Sequence, residues 1–150
     1  MLVHPNFDPV AFSIGPLSVH WYGIMYLCAF ASVYLLLHYR LKKYPRYVEA
    51  GWSSDRISDL IFYGVLGAVV GGRLGYVLFY KPGYYLNNLL EVFFIHQGGM
   101  SFHGGLLGVI AVAYLYSRKS NLGFLAIGDF VAPVAPLGLF FGRMGNFINQ

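Results

Sequence analysis

Four long apolar runs, at about residues 17–39, 57–80, 100–116 and 125–145, constrain this chain more than any other feature. A bilayer core of about 30 Å is crossed by about 20 helical residues. The runs are continuous and lack the two-residue alternation of a membrane barrel, so helices are expected. Composition points the same way. Charged residues make up only 11% and hydrophobic residues 57%, where a soluble domain carries about 25% charged residues. A chain of 150 residues has too little interior to hide that much apolar surface from water. The expected class is an all-α polytopic membrane protein, one transmembrane domain with about four spans.

Charge placement orients the spans. The net charge of +4 does not mark a nucleic-acid binder, because five of the ten Lys and Arg residues fall between Arg40 and Arg56, beside an apolar run. No Lys or Arg precedes the first run, and Arg118 and Lys119 follow the third. Segments 40–56 and 117–124 are therefore expected on the cytoplasmic side and the N-terminus outside. The N-terminal stretch has no basic region and carries early prolines, so no cleaved signal is expected. SSDR at 53–56 reads as a helix N-cap before the second span.

That topology brings Arg73, His103 and Arg143 toward the outer leaflet. Arg73 and Arg143 each sit between glycines at the end of an apolar run. An arginine inside a span costs about 2.5–3.5 kcal/mol on insertion scales. Arg143 is either a snorkelling anchor or an anion-binding group, and a guanidinium fork suits a lipid phosphate. Asn146, three residues on, shares its helical face. Arg73 lies deeper and is open to a structural pairing or to function. His103 is either a structural helix-end residue or a proton carrier.

Glycines at four-residue spacing (Gly67, Gly71 and Gly75; Gly104 and Gly108; Gly138 and Gly142) read as close-packing seams between helices. Pro133 and Pro136 should bend or break the fourth helix. The five histidines, His4, His20, His38, His96 and His103, show no ligand spacing, and Cys28 is the single cysteine. Neither a metal nor a cofactor is expected.

The stretches HWYGIMY (20–26), GGRLGYVLFY (71–80), GGMSFHGGLLG (98–108) and GRMGNFIN (142–149) resemble, in order, bacterial prolipoprotein diacylglyceryl transferase. The resemblance implies transfer of diacylglyceryl from phosphatidylglycerol to the lipobox cysteine thiol of a prolipoprotein, giving a thioether and free glycerol phosphate. It also implies the bacterial inner membrane, a lateral lipid entrance and an active site toward the outer leaflet. On that basis Arg143 binds the phosphate and stabilises the leaving group. His103 is the general base or orients the lipid. Asn146 and Tyr22 position the headgroup, and Arg73 is a further substrate-binding candidate. The expected partners are phosphatidylglycerol, the prolipoprotein signal peptide and membrane lipids. The family's pattern G-R-x-G-N-F-x-N-x-E reaches its acid just past Gln150. Family members are roughly twice as long, with about seven spans. The chain is accordingly expected to be an N-terminal portion without independent activity. The competing expectation is a lipid-binding or lipid-transport protein with no transferase activity.

Overall fold

The computed structural model describes residues 7–15, 17–94 and 98–149; His4, His96 and Gln150 lie outside them. The chain divides into two compact units, residues 1–47 with 129–150, and residues 48–128.

In the first unit, β1 (Val10–Ile14) pairs antiparallel with β2 (Leu17–His20), with Ser13 opposite Ser18 and an irregularity between Val10 and Phe12. Gly15 turns the chain at φ +60°, a left-handed conformation that favours glycine. Helix α1 (Trp21–Lys43) follows at once, and the Trp21 amide donates to the Pro9 carbonyl at 3.0 Å, tying hairpin to helix. The first span thus begins at Trp21, four residues later than the apolar run. Leu17–His20 stands at the start of the expected run, but its backbone hydrogen bonds go to β1. Helix α1 packs against the last helix of the chain. Its final turn carries Arg40, Lys42 and Lys43, a favourable place for cations beside the exposed helix carbonyls. There the Arg40 guanidinium reaches the Tyr47 hydroxyl and lies over the Tyr47 and Phe130 rings.

A short helix α2 (Pro45–Glu49) leads into the second unit. Helix α3 (Ser54–Phe79) starts where the Ser53 side chain accepts from the Arg56 amide, so the expected cap is present. Next come α4 (Pro82–Asn87), a 3-10 helix (Leu89–Phe93) and α5 (Phe102–Ser120), which ends at Asn121 in a left-handed conformation. Helices α3 and α5 form a hairpin packed backbone to backbone. A Cβ on Gly75 would come within 2.7 Å of Gly104 Cα, and one on Gly71 within 2.8 Å of Gly108 Cα. Both seams expected from the glycine spacing meet here.

Helix α6 (Phe124–Val131), a 3-10 turn (Ala132–Val134) and α7 (Ala135–Asn149) complete the chain. The break falls at Pro133, as expected from its missing amide. Gly138 and Gly142, in contrast, meet nothing within 4 Å among the described residues.

Among the described residues, three helical stretches are long and apolar enough to cross a membrane: Trp21–Lys43, Ser54–Phe79 and Phe124–Asn149, with mean hydropathies of 1.4, 1.6 and 1.9. Helix α5, at 19 residues, is not among them, so four spans is an approximate figure. Large apolar side chains such as Leu27, Leu35, Phe62, Leu78 and Leu115 are exposed along these helices. Water would penalise such a surface and lipid tails would not. The fold is an all-α polytopic membrane protein with a small β-hairpin before its first span.

Candidate active site

The first unit holds Tyr22, Arg143 and Asn146. Tyr22 lies in the first turn of α1, half-buried, with its hydroxyl 3.2 Å from that of Tyr26 one turn on. Their rings meet edge to face at 5.0 Å, a favoured aromatic geometry. Gly145 of α7 is buried under Tyr22. A Cβ there would meet Tyr22 Cδ2 at 2.9 Å and the Met25 Cβ at 3.4 Å. This glycine, between Arg143 and Asn146, is what lets the Tyr22 ring lie against α7.

Arg143 and Asn146 are both exposed on α7. Among the described residues, neither side chain has a hydrogen-bond or ion-pair partner. A guanidinium on an apolar helix with its five donors open is a ready anion site. The amide of Asn146, one turn along the same face, adds two donors.

Arg73 and His103 belong to the second unit. Arg73 is 4% exposed. Its Nε donates to the Val92 carbonyl at 2.8 Å and its Nη2 to Glu91 O at 2.6 Å. Its Nη1 donates to Gly98 O at 2.6 Å and Gly99 O at 3.2 Å. The guanidinium also stands over the Tyr85 ring at 5.3 Å. Hydrogen bonds to a charged group contribute about 1.5–3 kcal/mol each. Four of them outweigh an insertion cost of about 2.5–3.5 kcal/mol. Two of these carbonyls, Glu91 and Val92, lie at the end of the 3-10 helix, and Glu91 O also accepts from the Phe94 amide at 3.1 Å.

His103 is exposed in the first turn of α5, edge-on to Phe102 at 5.7 Å. The helix start beneath it is fixed twice. The Ser101 amide donates to Gly72 O at 2.8 Å, and the Ser101 hydroxyl accepts from the Gly104 amide at 3.2 Å. Tyr84 and Glu91, outside the spans, are joined by a 2.6 Å hydrogen bond that holds the Tyr84 phenol above its usual range. Among the described residues no cluster of three His, Cys, Asp or Glu side chains stands ready for a metal.

The family model described as prolipoprotein diacylglyceryl transferase matches residues 9–150. The chain belongs to this family. Similar curated proteins, each named phosphatidylglycerol–prolipoprotein diacylglyceryl transferase, include one from Bordetella avium (strain 197N), 60% identical over 149 residues. Others are from Polynucleobacter necessarius (strain STIR1), 56% identical, and Legionella pneumophila (strain Lens), 54% identical. In each case the match takes in 99% of this chain and 55%, 56% and 57% of the respective relative. The chain spans about half the length of the curated relatives it matches.

In this member of the family, sequence reasoning missed Tyr26, Gly145 and Ser101 as residues that shape the surroundings of the candidate side chains. Tyr26 was readable as the residue one turn from Tyr22. Ser101, three residues before Gly104, had the form of an N-cap. Gly145, three residues past Gly142 and seven past Gly138, shares their helical face, and was passed over because the spacing considered was four residues.

Proposed function

We propose that this chain supplies the lipid-headgroup half of an enzyme that moves diacylglyceryl from phosphatidylglycerol to the lipobox cysteine of a prolipoprotein. The observation that carries the reading is the family match over residues 9–150, shared with relatives whose names state that activity. The open donors of Arg143 support it, because an anionic phosphodiester needs a cation at the membrane surface. In the reaction, the cysteine sulfur attacks the glycerol carbon that bears the phosphate. A C–S bond forms, the C–O bond breaks, and its electron pair leaves on glycerol phosphate. His103 takes the thiol proton. Arg143 stabilises the charge that grows on the departing phosphate, while Asn146 and Tyr22 hold the headgroup. The site faces the outer leaflet of the bacterial inner membrane, with the N-terminus outside and segments 40–56 and 117–124 inside.

The test is the intact mass of a lipobox peptide incubated with phosphatidylglycerol vesicles. One sample contains this chain. A second contains a chimera in which it replaces the matching half of the Bordetella avium relative. A diacylglyceryl mass gain with the chimera, and none with the chain alone, is expected. No gain with the chimera, where the unaltered relative modifies the peptide, would refute the transferase reading. Full turnover by a chimera carrying His103→Gln would remove His103 as the base.

A further inference from the structure

We infer that Arg73 is a positioning residue: it gathers the segment ahead of α5 and thereby sets where His103 stands, leaving no fork free for a substrate phosphate. The inference rests on the reading of His103 as a reacting group and revises the expectation that Arg73 binds substrate.

Four observations converge. First, every nitrogen of the guanidinium is spent on a backbone carbonyl, and the carbonyls come from two places: Glu91 and Val92 at the end of the 3-10 helix, and Gly98 and Gly99 just before α5. One planar group therefore fastens both ends of the connection between the 3-10 helix and α5. A bidentate phosphate contact needs two N–H donors, and with four of the five taken at least one of those bonds would have to break.

Second, Gly98 and Gly99 have φ of +81° and +83°. Glycine adopts that conformation freely and other residues adopt it at a cost, and it aims both carbonyls at one Nη1. A Cβ on Gly99 would also strike the Tyr76 ring at 2.5 Å. The tight turn is thus built around Arg73 and its neighbours on α3.

Third, the next contact along the chain is again with α3 beside Arg73. The Ser101 amide donates to the carbonyl of Gly72, and Ser101 then caps α5. His103 follows two residues later. Between the guanidinium and the imidazole, the backbone is held at Gly98, Gly99 and Ser101.

Fourth, Tyr85 covers one face of the guanidinium and is itself buried. A cation over an aromatic ring contributes about 0.5–2 kcal/mol, which adds to the cost of moving Arg73 out of this position.

The test uses the chimera with the Bordetella avium relative in lipid nanodiscs. It carries Arg73→Ala, Arg73→Lys or Gly98→Ala. Gly98→Ala keeps the arginine and disturbs only the turn, since a Cβ there meets nothing within 4 Å and the strain is confined to φ. Two readouts are taken: amide hydrogen exchange over residues 99–104 against 108–112, and kcat and KM for phosphatidylglycerol. The expected result is exchange at least tenfold faster over 99–104, unchanged over 108–112. It is accompanied by a tenfold or greater fall in kcat with KM within twofold, in Arg73→Ala and Gly98→Ala alike. Arg73→Lys should recover neither, because one ammonium does not span four carbonyls.

Unchanged exchange with a KM raised tenfold in Arg73→Ala alone would overturn the inference and return Arg73 to the substrate. Equal acceleration in both segments would also overturn it, showing that Arg73 supports the whole α3–α5 hairpin. If the Arg73 variants do not accumulate, Gly98→Ala decides by the same two readouts. Loss of all turnover in the unaltered chimera would count against the transferase reading alone, and the exchange pattern would still show whether Arg73 holds the start of α5.

Discussion

Arg73 and Arg143 occupy near-identical surroundings in sequence, glycine-flanked at the ends of apolar runs, and opposite ones in space. Arg73 is enclosed and held by four carbonyls, while Arg143 is exposed with its donors open. Replacing Arg143 by Lys keeps the charge and loses the fork. Turnover in the chimera should fall about 10²–10³-fold, the loss seen when one donor to a developing oxyanion is removed. The peptide mass assay measures it. At Gly145, an added methyl meets the Tyr22 ring at 2.9 Å. Gly145→Ala should cost about 1–3 kcal/mol, as overpacking does, and thermal unfolding in detergent would show it. Gly142→Ala, with open space around it, should stay within about 0.5 kcal/mol. The difference between the two arginines was not legible in the sequence. The partners of Arg73 are main-chain carbonyls 18 to 26 residues away, and a carbonyl carries no signature of the residue it belongs to.

At the level of elements, spacing was informative where backbone geometry alone decides the outcome. The four-residue glycine repeats of α3 and α5 meet each other, Ser53 caps α3, and Pro133 ends α6. The repeat at Gly138 and Gly142 shows the limit of the same reasoning. A stripe of small residues says that a close approach is possible, and it does not say by what. Residues 17–20 show another limit. A short apolar run has no period long enough to separate strand from helix, and the pairing with β1 depends on a turn at Gly15 that apolarity does not report. For the hairpin, Gly104→Ala places a methyl 2.8 Å from the Gly75 Cα. Backbone does not yield as a flexible side chain does, so the midpoint of thermal unfolding should drop by several degrees, about 1–3 kcal/mol. Gly64→Ala on α3, where nothing lies within 4 Å, should leave the midpoint unchanged or raise it slightly.

For the whole molecule, the basic residues at the ends of α1 and α5 predict a common side for Lys42 and Lys119. With Cys28 replaced by Ala, single cysteines at these positions should react with an impermeant maleimide only after the inner membrane is opened. A cysteine at Asp8 should react in intact spheroplasts. The reverse pattern would invert the orientation and with it the outer-leaflet site. The seam between α3 and α5 has a mechanical consequence at this scale. Contacts between side chains tolerate sliding, because rotamers adjust. Contacts of Gly71 and Gly75 with Gly104 and Gly108 do not, since a shift of one residue along either helix sets a side chain against a main-chain atom. The hairpin therefore has one register and moves as a rigid piece.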